Sequence, residues 1–169
     1  MKYLSLGVLL LLLASCGSKG DAEKADGQET EVVQTDQPRA METYDLTDSL
    51  SAAPYTYVLH RQPADSSACV TDEYGQKYLD NYYELRVMKG GNALFSHRFT
   101  KASFGSQLDA TFRQNAIFDG FRFTHVEEGK LYFSLCFSYP DSDLSQPFIL
   151  CVSPDGSHTI AIDNTPDME

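Results

Sequence analysis

Three histidines and three cysteines are the residues of this chain best suited to do chemistry. His97, His125 and His158 each fall on a strand face that otherwise carries Phe, Leu or Ile. Three neutral imidazoles converging from such faces would suit zinc. The same rings at strand ends, bonded to backbone carbonyls, would need no metal. No two of them have the local spacing of a ligand pair, and no helical Glu stands near enough to act as a base. Cys136 and Cys151 lie on the faces opposite their strands' apolar sets. With a connecting loop centred near Asp143-Leu144, they are expected opposite each other or one diagonal step apart. A directly opposed, non-hydrogen-bonded pair has Cα atoms ~4.5 Å apart, within disulfide range. A bridge there and two reduced, half-buried thiols are both open readings. Cys69 reads as a loop thiol, or as a nucleophile that would need a distant histidine.

Other chemistry has thinner support. Asp141-Ser142-Asp143-Leu144-Ser145 resembles the start of a calcium loop. It has Gln146 where the loop needs glycine and Val152 where it needs glutamate. Asp72, Asp80 and Asn81 flank a Tyr74-Gly75 turn, where turn and capping hydrogen bonds account for them. No serine sits in a G-x-S-x-G elbow. No catalytic site and no cofactor are expected, and the chain reads as a non-enzyme.

The N-terminus fixes an address. Lys2 precedes an apolar run over residues 4–13, about half the ~20 residues needed to cross a bilayer. The run ends on small residues, as a cleavable secretory signal does. Leu13-Ala14-Ser15-Cys16 resembles the lipobox of bacterial lipoproteins. That resemblance implies a signal peptide over 1–15, removed before Cys16, and diacylglycerol with further acylation such as palmitate on Cys16. Two or three acyl chains anchor firmly where one does not.

Charge narrows the partners. The chain has 13 basic and 24 acidic residues, net −11, and the signal holds a single Lys and no acid. Nucleic acid is excluded, because neutralising phosphates with Lys and Arg dominates that affinity. A basic patch for anionic headgroups is excluded too, so attachment to a membrane must come from lipid. Residues 17–52 carry nine acids against Lys19, Lys24 and Arg39, with no apolar period. Such a segment cannot offset its ordering entropy, and 16–52 is expected to be a lipidated cysteine plus a disordered acidic tether. As a coil it would span roughly 30–35 Å. Gly17 stands where an Asp would resemble an inner-membrane retention signal, which favours the outer membrane. Lys19-Gly20-Asp21-Ala22-Glu23 resembles a surface-export signal of Bacteroidota lipoproteins, leaving periplasmic face and cell surface both open. Asp48-Ser49-Leu50 resembles the O-glycosylation acceptor of that phylum, with Ser49 as the site.

From Tyr55 onward apolar residues alternate with period two, the mark of half-buried strands. Tyr83/Leu85/Val87 and Phe95/His97/Phe99 flank Gly90-Gly91-Asn92, and parity calls for a three-residue loop there. Glu127-Glu128-Gly129 and Pro154-Asp155-Gly156 are expected to be three-residue loops ending on glycine. One short helix is expected near 106–116, with Ser106 as its cap and Leu108, Phe112 and Ala116 on one face. The fold class is mainly β, α+β at the margin. It is an antiparallel meander over 53–165, closed as a sandwich or an open barrel.

Asp72-Glu73-Tyr74-Gly75-Gln76-Lys77-Tyr78-Leu79-Asp80-Asn81, Phe99-Thr100-Lys101-Ala102-Ser103-Phe104 and Phe148-Ile149-Leu150-Cys151-Val152-Ser153-Pro154-Asp155-Gly156 resemble a family of small Bacteroidota outer-membrane lipoproteins. That family is defined only as a domain of unknown function. The resemblance implies lineage and location, without an activity. The chain is thus expected to be an outer-membrane-anchored lipoprotein with a binding or envelope accessory role. Its ligand would be a protein or a glycan, recognised by outward-facing Tyr82, Met88, Leu94 and Tyr132. The rivals are a metal-dependent enzyme using the three histidines and a structural component of a surface assembly.

Overall fold

The computed structural model describes residues 37–40, 44–49, 54–65 and 68–164. The expected signal peptide, Cys16 and most of the tether lie outside the described residues. Among the described residues, ten strands and one short α-helix follow one another: β1 (Tyr44–Ser49), β2 (Tyr55–Pro63), β3 (Cys69–Thr71), β4 (Lys77–Leu79), β5 (Asn81–Lys89), β6 (Asn92–Phe99), α1 (Ala110–Asn115), β7 (Ile117–Glu127), β8 (Lys130–Ser138), β9 (Ser145–Val152) and β10 (His158–Ile162). A 3-10 segment, Lys101–Gln107, precedes α1.

Two four-stranded antiparallel sheets result, in the orders β1-β2-β5-β6 and β10-β9-β8-β7, with β3-β4 as a separate ribbon. The class is mainly β and sandwich-like, as the alternation predicts. Tyr57, Leu59, Tyr83, Leu85, Val87 and Phe99 of the first sheet are buried. So are Leu131, Phe133, Leu135, Phe137, Phe148 and Leu150 of the second. Rings meet across the gap, Tyr57 on Phe133 at 5.7 Å and Phe99 on Phe121 at 5.4 Å. Burying each such side chain contributes ~1.5–3 kcal/mol. Tyrosines at the margins satisfy their hydroxyls on the opposite sheet's turns and bends. Tyr55 donates to the Gly129 carbonyl at 3.0 Å and Tyr83 to the Asp119 carbonyl at 2.7 Å.

Several local expectations are corrected. The first hairpin closes through a two-residue Gly90-Gly91 turn, both at positive φ, because Lys89 pairs Asn92. Parity is restored by a bulge: Met88 faces Ala93 while Val87 faces Phe95, leaving Leu94 as the extra residue. The second hairpin also turns on two residues, Glu128 and Gly129, and bulges at Phe118/Gly120 and Phe123/His125 absorb the parity. The third does form the expected loop. Ser153 donates to Ser157 at 2.8 Å around Pro154-Asp155-Gly156, with Gly156 at φ 84.

The helix starts later than the sequence predicts. Asp109, not Ser106, is its cap, accepting from Thr111 N at 2.8 Å. Ser106 belongs to the 3-10 segment, where Gly105 at φ 52 breaks the helical path. Asp119-Gly120, just past the expected helix, lies within β7. Residues 44–49, expected within the acidic tether, form β1, which pairs along β2 from Tyr44↔Arg61 to Ser49↔Thr56. Strand β2 meets β5 on one side only, and its other row of backbone groups is a template that β1 fills.

Candidate functional site

The turn 72–76 between β3 and β4, the loop 139–144 between β8 and β9, and the end of α1 enclose a groove of about 480 Å³. Each wall is built by local bonding. Asp72 accepts from Tyr74 N at 2.9 Å and Gln76 N at 2.8 Å, with Gly75 at φ 86, and Tyr74 stands 63% exposed. Opposite it, Tyr139 N donates to the Leu144 carbonyl at 3.0 Å, and Asp141 takes φ 53 to make the bend. Leu144 is left 58% exposed. Phe112 of α1 braces Tyr139 at 4.9 Å between ring centroids.

The walls are tied together. The Tyr78 hydroxyl donates to the Asp141 carboxylate. That carboxylate pushes the Tyr78 phenol up to about 12. Arg39 N donates to the Lys77 carbonyl at 2.8 Å and Leu79 N to the Arg39 carbonyl at 2.7 Å, which adds residue 39 in parallel to β4. Its guanidinium lies 6.0 Å from the Tyr78 ring centre.

Asp72, Glu73 and Asp141 line the groove beside Tyr74, Tyr139 and Leu144, with the Asn115 amide at one side. Glu73 hydrogen-bonds Tyr74 and raises its phenol. Carboxylates and an amide offer acceptors and donors, and the rings offer flat apolar faces. Such a lining holds hydroxyl-rich or cationic groups. Among the described residues, the lining contains no His, Cys, Lys or Arg to serve as nucleophile or base. Asp141, expected as the start of a possible calcium loop, is engaged by Tyr78 instead.

The three histidines do not converge. His97 and His158 meet, with ring centroids 5.3 Å apart, at the rim formed by edge strands β6 and β10. They share a face with buried Phe95 and Phe99, yet both are exposed, because an edge strand leaves its inward face open at the rim. His125 goes elsewhere. The bulge at Phe123/His125 turns it to the outer face, stacked on Tyr132 at 4.6 Å. It sits on β7, the opposite edge of the second sheet from β10, roughly 14 Å away at the usual strand spacing.

The cysteine pairing is corrected as well. Ser138 pairs Ser145, so the loop centre falls two residues before the expected one. Cys136 faces Pro147 and Cys151 faces Tyr132, four positions apart, ~13 Å along the strands. That exceeds disulfide reach, and both are free thiols. Cys69 is half-buried in β3, opposite Leu79. The expected apolar patch is also split. Tyr82, under the Arg98 guanidinium at 4.6 Å, and Met88 lie on one sheet, Tyr132 on the other. Leu94 packs against the core. Glu84 and Arg98 pair across the first hairpin at 2.6 Å.

One cluster escaped the sequence reading. Buried Asp80 accepts from Asn81 N at 2.8 Å and Phe118 N at 2.7 Å, and its other oxygen lies 3.0 Å from Lys101 Nζ. Lys101 also donates to the Ala116 carbonyl, and the Asn81 amide to the Phe118 carbonyl at 2.9 Å. These residues lock the start of β7, which follows α1, to the β4–β5 junction. A family described as Domain of unknown function (DUF4738) matches residues 21–160. The chain belongs to the DUF4738 family. No curated protein matches it. In this DUF4738 chain, two of the stretches on which the family resemblance rests supply Asp80, Asn81, Lys101 and Phe104. They hold the fold together.

Proposed function

We propose that this DUF4738 protein is a lipid-anchored envelope protein that works by binding, with the groove between turn 72–76 and loop 139–144 as its recognition surface. The groove's combination of tyrosine faces with carboxylates carries this reading. The core between the sheets is filled by Phe, Tyr and Leu side chains, so a ligand is taken at the surface. A glycan fits the lining best, its hydroxyls on Asp72, Asp141 and Asn115 and its apolar ring face on Tyr74 or Tyr139. The apolar run ending in Leu13-Ala14-Ser15-Cys16 supports outer-membrane anchoring through lipid on Cys16, with a Bacteroidota-type acidic spacer after it.

Two experiments test the parts separately. Full-length protein labelled in cells with an alkyne fatty acid should carry the label, and Cys16→Ala should not; an unlabelled wild-type chain contradicts anchoring. Detergent-purified full-length protein should bind a subset of an envelope-glycan array, and Tyr74→Ala should lose that binding. Binding that is absent, or equal in Tyr74→Ala, contradicts the groove's role.

A further inference from the structure

We propose that His97 and His158 form a two-imidazole site for a divalent transition metal of the Zn²⁺ or Cu²⁺ class, which clips together the open edges of the two sheets. The ring separation is that of a chelating pair. A tetrahedral ion bonded to two imidazole nitrogens at about 2.0–2.1 Å places the ring centroids ~5 Å apart. The observed separation is 5.3 Å, with the ring planes inclined by 40°.

The rings are held in place before any ion arrives. His97 sits edge-to-face on Phe99 at 4.5 Å, and His158 edge-to-face on Phe95 at 5.2 Å. Their backbones are fixed by pairing, His97 with Leu85 and His158 with Val152. Strands β6 and β10 end different sheets, so a shared ion would join elements that no strand ladder joins. Both residues are exposed, leaving room for water or an outside ligand on the remaining coordination positions.

The nearby cation, Arg98, is turned to the outer face and held by Glu84 at 2.6 Å. An all-imidazole donor set selects copper or zinc over calcium or magnesium, which prefer oxygen. This site is independent of the groove and of the anchoring proposal.

The test uses tag-free full-length protein titrated calorimetrically with Zn²⁺ and with Cu²⁺, followed by electron paramagnetic resonance of the copper form. The expected results are saturable equimolar binding, nitrogen hyperfine structure from imidazole, and a rise in Tm on adding Zn²⁺. His97→Ala and His158→Ala should each weaken binding by more than the roughly 10–100-fold that loss of a supporting contact costs. His125→Ala should bind as wild type does. An unchanged metal-free Tm shows that the variants fold; if His97→Ala does not, His97→Asn takes its place. Absent binding, binding that survives both substitutions, or binding abolished by thiol alkylation alone would overturn the proposal.

Discussion

Lys101 Nζ lies 3.0 Å from Asp80 Oδ2, with both side chains largely withdrawn from water. The pair joins the 3-10 segment after β6 to the junction of β4 and β5, and Asp80 reaches on to Phe118 N. Breaking a buried pair leaves an uncompensated charge, typically costing ~3–5 kcal/mol. Asp80→Ala should be the more damaging change, because it strips Lys101, Asn81 N and Phe118 N of one acceptor group. Urea denaturation should show Asp80→Ala below Lys101→Ala, with the double variant far from additive. Additive losses would mean the two side chains act separately.

Phe104 closes the core from the 3-10 segment. It meets Phe137 at 4.6 Å, Phe148 at 4.9 Å and Phe118 at 5.4 Å, and is 1% exposed. Phe104→Ala should cost ~3–5 kcal/mol, the usual range for a large buried ring. Chemical denaturation checks it, and a loss near zero would show that the segment is not seated on the core.

Tyr78 and Asp141 give the groove a spectroscopic handle. The Asp141 carboxylate holds the phenol proton up to about 12, against an ordinary value of 10.0. Between those values the unfolded chain binds fewer protons than the folded one, so stability falls as pH rises through that window. Phenolate absorbance should show a tyrosine titrating near 12 in wild type. Asp141→Asn should return it toward the ordinary value.

Gly156 sits at φ 84 with no room for a side chain. A Cβ there would lie 2.7 Å from the Leu94 carbonyl oxygen. Gly156→Ala should destabilise by at least the ~1–2 kcal/mol of a left-handed non-glycine residue, plus the clash. Gly91→Ala, at φ 83 but facing open space, should cost less in the same thermal melt.

The alternation from Tyr55 to Val152 was legible because residues on one face of a strand must share one environment. Bulges were not. Leu94, Asp119 and the 123/125 irregularity each change parity without a composition signal, and they moved the turns and His125. The loop centre between β8 and β9 was misplaced by two residues, enough to separate Cys136 from Cys151. For β1, acidic composition hid a six-residue strand whose partner edge only the fold reveals. Nothing in the local sequence tied Asp80 to Lys101, 21 positions apart. The groove escaped for the same reason: residues 72–74, 115 and 139–144 share no pattern, only a location. Asp72 was singled out as a turn residue and Asp141 as the start of a possible calcium loop, and only their neighbours in space place both in one groove.

The groove is tested most directly by hydrogen exchange on the full-length protein, with and without a glycan hit from the envelope array. Protection should appear in residues 72–76 and 139–144 and leave the outer faces of both sheets unchanged. Protection confined to the sheet faces, with those two segments exchanging as before, would contradict a binding role for this site.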